Sequence, residues 1–398
     1  MPIALLALSL AAFAIGTTEF VVVGLLPTIA GAFSVPVATT GTLVVGYAGG
    51  VALGGPLLTL ATRRLPPRRV LTGLMVFFAA GHVVMAVAPS FSVLLITRVV
   101  VASAHGAFFG VGSVVAAGLV PAERRSRAIA IMFTGLTVAT VLGVPGGTLL
   151  GEHTSWRVPF LAVAALATVA AVAVRGLVPQ DVGSQSASEG SSTLIPARRG
   201  TIWFALLTTV VGWGAMFIPF TFITPFLEQV SGFGPTAVAA LLLVYGAASA
   251  AGSILGGRAN DAWPVRMLPV TLVALAAVLS LMWLGGGIPW LTVALLFAWG
   301  ATGFALVPAL QARVVSIAGP GSMLASTLNI AAFNVGIAGG SAIGGAMVSA
   351  GGLRLTPLVG AAITLAGAAL ATVGSARRAL EDPALHSRTC ARQGAGHP

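Results

Sequence analysis

Two charged side chains stand inside long apolar stretches of the sequence, where charge is rare. Glu19 lies within residues 3–30 and Arg98 within residues 92–120. An ionised group in lipid-like surroundings is costly unless it is paired or reached by water. A carboxyl can avoid that cost by taking up a proton, whereas a guanidinium stays charged. We therefore expect Glu19 to titrate and Arg98 to influence its protonation.

The depths of these two residues are compatible with a pair. If both stretches are membrane-spanning helices, Glu19 lies ~15 Å and Arg98 ~10 Å below the same membrane surface. A direct or water-bridged pairing is therefore feasible. The alternative interpretation is an ion pair that only holds two helices together.

His105 follows Arg98 by seven residues, which places both side chains on one helical face. Imidazole titrates near neutral pH, so His105 could relay a proton. It could equally be a packing residue beside Gly106. His82, in the preceding apolar stretch, shows no obvious partner in the sequence.

Composition indicates that the elements positioning these residues lie in a membrane. The chain of 398 residues is 57% hydrophobic and 7% charged, whereas soluble domains carry roughly 25% charged residues. The net charge of +11 comes from arginines in short runs between apolar stretches, which favours a lipid bilayer over a nucleic acid as partner. The single cysteine, Cys390, excludes an intrachain disulfide.

Polar and Gly/Pro-rich breaks divide the chain into twelve apolar stretches of membrane-spanning length. The fold class predicted is an all-α membrane protein with twelve transmembrane helices in two pseudo-symmetric six-helix bundles. The predicted spans are residues 3–30, 38–61, 70–88, 92–120, 128–150, 158–178, 201–227, 236–257, 266–285, 289–312, 323–349 and 356–375.

The longest break separates two halves of six spans each. We expect a first bundle over residues 1–178, a flexible linker at 179–200, a second bundle at 201–375 and a disordered tail at 376–398. With the N-terminus in the cytoplasm, Arg157 and Arg354 are the only arginines in outward loops. The positive-inside rule thus places both termini, the linker and the tail in the cytoplasm. The chain is predicted to be a multi-pass protein of the cytoplasmic (inner) membrane.

A weak internal repeat at an offset of 198 residues relates the halves, because Tyr47 falls on Tyr245 and the chain has only two tyrosines. Position 19 falls on Phe217 and position 98 on Leu296, so neither charge has a counterpart in the second half. We expect proton chemistry in the first half and a substrate cavity lined from the second, with helix packing as the alternative role for each lining residue. The predicted lining residues are Trp213, Phe217, Phe220, Tyr245, Asn329 and Asn334.

The fifth span contains the segment LGVPGGTLLG at 142–151. Pro145 removes a helix hydrogen bond and kinks the segment. Gly143, Gly147 and Gly151 recur every four residues, so they line one face that a neighbouring helix can approach closely. We expect this face to form a contact between the halves on which a rocking motion occurs. Plain helix packing is the alternative.

Enzyme motifs are missing from the sequence. It contains no GxxxxGK[ST] phosphate loop, no metal-ligand spacing of Cys and His, and no Gly-x-Ser-x-Gly turn. We therefore predict no enzymatic activity, no cofactor and no metal ion.

Several segments together resemble the major facilitator superfamily, and within it the bacterial twelve-span drug:proton antiporters of the chloramphenicol-resistance and sugar-efflux-like branch. The similar segments are GTTEF (16–20), GLLPTIA (24–30), TRVVVASAHGAFFG (97–110), LGVPGGTLLG (142–151), TSWRVPF (154–160) and STLNIAAFNVGIAGGSAIGG (326–345). The resemblance implies the major facilitator fold, a monomer, and proton-coupled export of small, largely apolar molecules such as drugs by alternating access.

One position departs from that family. The loop LATRRLPPRRV at 60–70 has Thr62 where the family usually carries Asp, whereas the second-half loop GGRAND keeps Asp261. In relatives, charged residues of these loops stabilise either the inward-facing or the outward-facing state. That stabilisation is thus expected to be weaker in the first half of this chain. A sugar or metabolite exporter of the same fold, and a non-transporting membrane sensor, remain the alternative functions.

The predicted topology can be tested by cysteine accessibility. Single cysteines placed within residues 184–192 of a Cys390→Ser chain should react with an impermeant thiol reagent only after the cells are permeabilised, because the positive-inside rule places that linker in the cytoplasm. A cysteine at Ser155, in a predicted outward loop, is the control and should react in intact cells. Labelling of the linker from outside intact cells would contradict the topology.

Overall fold

The chain forms an assembly of long apolar helices. The structure, a computed structural model, describes residues 3–121, 125–180, 182, 200–318 and 323–381. Within those ranges every regular element is a helix, and twelve helices are long and apolar enough to cross a membrane, which confirms the predicted fold class. In chain order the spans are Ile3–Phe33, Val37–Thr62, Pro67–Ala86, Phe91–Gly118, Ala128–His153, Arg157–Leu177, Gly200–Phe220, Pro235–Asn260, Met267–Gly285, Pro289–Val314, Leu328–Ser349 and Leu353–Gly374.

Four helices are longer than the spans given above. The longer helices are Pro235–Ala262, Pro289–Ala318, Met323–Ser349 and Thr356–Glu381. The last one runs through residues 376–381, for which disorder is predicted, because Ala, Arg, Leu and Glu all favour a helix. Most of the predicted linker and the tail after Glu381 lie outside the described residues.

The seventh span differs from its prediction as one continuous helix over residues 201–227. It forms three pieces, Gly200–Gly214, Phe217–Phe220 and Ile223–Gln229. A proline inside a helix cannot donate to the carbonyl four residues earlier, and its ring clashes with that carbonyl. Pro219 and Pro225 therefore break the helix near residues 215 and 221.

The second and fifth spans each contain a π-helical segment in which the helix is locally widened. These segments are Gly50–Gly54 and Ala139–Gly143. Each is followed two residues later by a proline, Pro56 or Pro145, which lies in the first turn of the next α-helical piece. Since a proline cannot complete the regular α-helical bond to the preceding turn, the widening is the local response to it.

The two halves meet along a seam formed by the first, second and fifth spans on one side and the seventh, eighth and eleventh on the other. The Thr224 hydroxyl donates across it to the Val23 carbonyl at 2.9 Å. Gly246 lies so close to the Thr140 backbone that a Cβ atom would collide with it. These contacts run from the middle of the bundle towards the membrane side on which the first span ends, which we call the Phe33 side.

Both π segments lie on this seam. The eleventh span packs against Gly50–Gly54 of the second span, and the eighth span packs against Ala139–Gly143 of the fifth. The helices of the second half that face them, Pro235–Ala262 and Met323–Ser349, are continuous α-helices. At each of these two contacts the seam therefore joins a widened helix to a regular one.

The glycine face of the fifth span contacts the first span of its own half. A Cβ atom at Gly143 would overlap Thr17, and one at Gly147 or Gly151 would lie 2.5 Å from Val21 or Leu25. The prediction that this face meets the other half is therefore wrong. Helix rotation places the neighbouring residues Thr140 and Val141 against Gly246 instead.

This close packing can be tested at one glycine. Gly143→Ala should lower the thermal unfolding midpoint in detergent, because the new methyl group overlaps Thr17 and such overpacking costs about 1–3 kcal/mol. Gly146→Ala is the matched control, since nothing lies within 4 Å of a Cβ atom at that position. Equal unfolding midpoints for the two variants would contradict the tight contact between the first and fifth spans.

Candidate functional site

A single arginine forms the centre of the first half. Arg98, in the fourth span, is 0% exposed. Its Nε donates to the Leu43 carbonyl at 2.9 Å, and its Nη2 donates to the carbonyls of Thr18 at 2.9 Å and Glu19 at 3.2 Å. The guanidinium carbon also lies 4.5 Å from the ring centroid of Tyr47, in cation–π range. The first and second spans therefore supply the groups that stabilise this charge on the fourth.

The Glu19 side chain is not directly paired with Arg98. It is buried, 8% exposed, and close enough to Arg98 and the Tyr47 hydroxyl for a Coulombic interaction with both. The described hydrogen bonds from Arg98 go to main-chain carbonyls, and its Nη1 is a buried donor without a partner among the described residues. The arrangement therefore leaves one guanidinium nitrogen, Nη1, available beside a buried carboxyl.

His105 joins this group through Tyr47. The Tyr47 hydroxyl lies 3.2 Å from His105 Nδ1, and the imidazole ring packs 5.2 Å from Phe109. Arg98 and His105 both contact Tyr47, so they share one helical face as the seven-residue spacing predicts. In the sequence, the signal at Tyr47 is its match to Tyr245 in the internal repeat, and that signal does not predict a contact with Arg98 or His105.

His82 has two partners, although the sequence suggests none. Its Nδ1 lies 2.7 Å from the Phe78 carbonyl and its Nε2 lies 2.6 Å from the Thr18 hydroxyl. Thr18 immediately precedes Glu19, so this contact touches the same turn of the first span. No local sequence signal connects two residues that are 64 positions apart.

Aromatic rings from the second half form a cluster beside this turn. Phe220 lies 4.8 Å from Tyr245 and 6.1 Å from Trp299, and Trp213 lies 5.4 Å from Phe217, by ring centroids. Four of the predicted lining residues therefore share one cluster. Its members are Phe20, Trp213, Phe217, Phe220, Tyr245, Trp299, Phe304 and Phe333.

Phe20 is the member contributed by the first half. Its ring lies 6.3 Å from Phe217 and 6.2 Å from Phe220. Three consecutive residues of the first span thus face three different groups. Thr18 contacts His82, Glu19 lies near Arg98, and Phe20 enters the aromatic cluster.

Several polar atoms in and beside the cluster are buried without hydrogen bonds. Among the described residues these include Nε1 of Trp213, Nε1 of Trp299 and Oδ1 of Asn334. A buried donor or acceptor without a partner costs about 1–3 kcal/mol. Native proteins seldom retain such atoms without a reason, and a bound ligand or water is one.

Asn329 differs from Asn334 in this respect. Its Oδ1 accepts from the Thr209 hydroxyl at 2.8 Å, and its Nδ2 donates to Gln311 Oε1 at 2.7 Å. The side chain therefore links the seventh, tenth and eleventh spans. Asn334 donates only to the Ile330 carbonyl at 3.0 Å, which leaves its oxygen available.

Apart from Glu19, the described spans contain few acidic side chains and no cluster of metal-binding residues. Glu152 lies in the last turn of the fifth span and is only partly buried, whereas Glu19 lies in the middle of its helix. No group of three or more His, Cys, Asp or Glu side chains within the described ranges could hold a metal ion.

Known proteins resemble this chain over most of its length. The family profile of the Major Facilitator Superfamily matches residues 8–327. The inner membrane transport protein YdhP of Escherichia coli (strain K12) is 41% identical over 376 residues, covering 93% of this chain and 94% of that protein. The chloramphenicol resistance protein of Streptomyces lividans is 38% identical over 347 residues, covering 85% and 88%. A probable sugar efflux transporter of Mannheimia succiniciproducens is 31% identical over 356 residues, covering 89% of each chain.

These matches agree with the helical membrane fold described above. The matched region includes Glu19, Arg98 and most of the aromatic cluster. The chain therefore belongs to the Major Facilitator Superfamily and is a membrane transporter, not an enzyme.

Proposed function

We propose that this transporter exports small, largely apolar molecules in exchange for protons by alternating access. Glu19 is the proton site and Arg98 its cationic partner. The observation that carries the proposal is the Thr18–Phe20 turn, where Glu19 lies beside Arg98 while Phe20 belongs to the aromatic cluster. A change at the carboxyl therefore acts on the same helical turn that contacts the cluster.

The free N–H of Arg98 supplies the physical basis for coupling. A protonated Glu19 is neutral and tolerates its present position without an ionic partner. After it loses the proton, the carboxylate is attracted to Nη1 of Arg98, a buried donor that has no other described partner. That rearrangement moves the first span, and with it Phe20. His105, bonded to Tyr47, is the candidate for passing the proton onwards.

The seam supports a state that is open towards the cytoplasm. Its contacts lie from the middle of the bundle to the Phe33 side, which the arginine distribution assigns to the outside. In this orientation both termini are cytoplasmic and the protein works as a monomer in the cytoplasmic membrane. Pro145 and the glycine face of the fifth span hold the first and fifth spans together during the exchange.

The aromatic cluster favours substrates that carry rings. Its faces suit an aromatic or aliphatic body, and the two unpaired indole N–H groups suit hydrogen-bond acceptors on that body. Trp213, Phe217, Phe220, Tyr245 and Asn334 contribute to this binding site, while Asn329 shapes it through its links to neighbouring spans. A neutral aromatic molecule with at least two acceptor groups fits these features.

Export of a sugar or metabolite is the second candidate, favoured by the similarity to a probable sugar efflux transporter. A sugar presents many hydroxyl groups, and each needs a polar partner when buried. The cluster offers few such partners, which favours the aromatic substrate. A non-transporting sensor of the same fold is distinguished by the fact that it does not need Glu19 to titrate.

Glu19→Gln should uncouple transport from the proton gradient. The amide resembles the protonated carboxyl permanently, so the variant should bind substrate as the wild type does but fail to accumulate it against its gradient. Proteoliposomes with an imposed pH gradient, in which substrate and internal pH are both followed, provide the measurement.

Glu152→Gln is the matched control, because that carboxyl lies at the end of a span, and it should keep uphill transport. Uphill accumulation with proton movement in Glu19→Gln would remove Glu19 from the mechanism.

Trp213→Phe and Trp299→Phe should each weaken binding of an acceptor-bearing aromatic such as chloramphenicol about tenfold. Each change keeps an aromatic ring but removes one N–H donor, and a hydrogen bond contributes about 1 kcal/mol or more. Binding to purified protein is measured by calorimetry, with lactose as the comparison ligand. Trp290→Phe, at a position that is 72% exposed, is the control. Unchanged chloramphenicol affinity in both variants, or preferential binding of lactose, would contradict the proposed substrate class.

A further inference from the structure

A buried histidine contacts the helical turn that carries the proposed proton site. His82, in the third span, is 0% exposed and packs among apolar rings, with Phe78 at 4.3 Å and Phe160 at 6.3 Å. Both of its ring nitrogens nevertheless have partners, the Phe78 carbonyl and the Thr18 hydroxyl. None of the steps proposed above uses this histidine.

These two partners determine which nitrogen carries the hydrogen. A carbonyl oxygen can only accept, so Nδ1 of His82 must be the donor to Phe78 at 2.7 Å. In a neutral imidazole Nε2 is then an acceptor, and the Thr18 hydroxyl donates to it at 2.6 Å. A protonated ring would make Nε2 the donor, and the Thr18 hydroxyl would then have to turn and accept.

The cation near His82 also favours its neutral form. Arg98 from the fourth span and Glu19 from the first are the ionisable groups of the neighbouring spans near it, and the sixth span presents Phe160. Arg98 is permanently positive, so a second positive charge close to it is unfavourable. His82 therefore acts as an acceptor and not as a proton carrier.

Thr18 is held from two directions as a result. His82 accepts from its hydroxyl, and Arg98 donates to its carbonyl at 2.9 Å. The neighbouring Thr17 behaves differently, since its hydroxyl donates within its own helix to the Phe13 carbonyl at 2.8 Å. Thr18 thus uses its hydroxyl to connect the first span to the third.

We infer that His82, as the neutral Nδ1–H tautomer, is a positioning residue that holds the Glu19 turn at its working distance from Arg98 through the Thr18 hydroxyl. The inference rests on the proposed role of Glu19 as the proton site. It adds the third span to the elements that control that carboxyl.

The test removes the hydroxyl without changing the shape of the side chain. Thr18→Val should keep substrate binding, because the aromatic cluster is untouched, and should move the half-maximal pH of proton-driven export upwards by about half a pH unit. That shift corresponds to about a threefold change in proton affinity. Its cause is a looser Glu19 turn and a weaker attraction of the carboxylate to Arg98.

Two further variants separate positioning from general damage. Thr18→Ser keeps the hydroxyl and should restore the wild-type pH profile. Thr17→Val removes a neighbouring buried hydroxyl that does not contact His82, and should leave the profile unchanged. A wild-type profile in Thr18→Val, or an equal shift in Thr17→Val, overturns the inference.

The outcome is distinguishable from failure of the proposed function. If Glu19→Gln retains uphill export, Glu19 is not the proton site, and the inference about His82 fails with it. If Glu19→Gln loses uphill export while Thr18→Val keeps the wild-type profile, the proton site stands and the positioning role alone is overturned.

Discussion

The buried charge of Arg98 is the constraint on which the first half depends. A guanidinium remains protonated in a protein, so its burial requires acceptors at fixed positions. Main-chain carbonyls of Leu43, Thr18 and Glu19 provide them, and the face of Tyr47 covers the cation. Because these groups come from the first and second spans, a single side chain determines how three helices lie against one another.

Much of this fold could be predicted from the sequence, because a bilayer imposes strong rules on composition. Span positions follow from apolar length, and Glu19 and Arg98 stand out because charges are rare in such stretches. The sequence carries no comparable signal for the rotation of each helix about its own axis, which decides which neighbour a given side chain meets. The sequence therefore did not reveal that His82 meets Thr18 or that the glycine face contacts the first span. Apolar length alone predicts one continuous seventh span, whereas Pro219 and Pro225 interrupt it.

The two halves differ in the way they stabilise their interiors. The first uses a charge and its carbonyl acceptors, whereas the second uses aromatic rings packed mostly edge-to-face and retains unpaired indole donors. Leu296 occupies the position that corresponds to Arg98, so the second half has no cation to satisfy there. The first span connects these two environments, because adjacent residues on it belong to each.

The two π segments have a mechanical consequence for the seam. Each holds one surplus residue next to a proline, Pro56 or Pro145, that cannot form the regular bond to the preceding turn. The extra residue cannot be absorbed into regular α-helix next to the proline. The second and fifth spans therefore each keep one position at which the helix bends easily. Their partners across the seam are continuous helices. At these two contacts a bend in the seam therefore falls on the helix of the first half, whereas at the contact with the first span the weak points, near Pro219 and Pro225, lie in the second half.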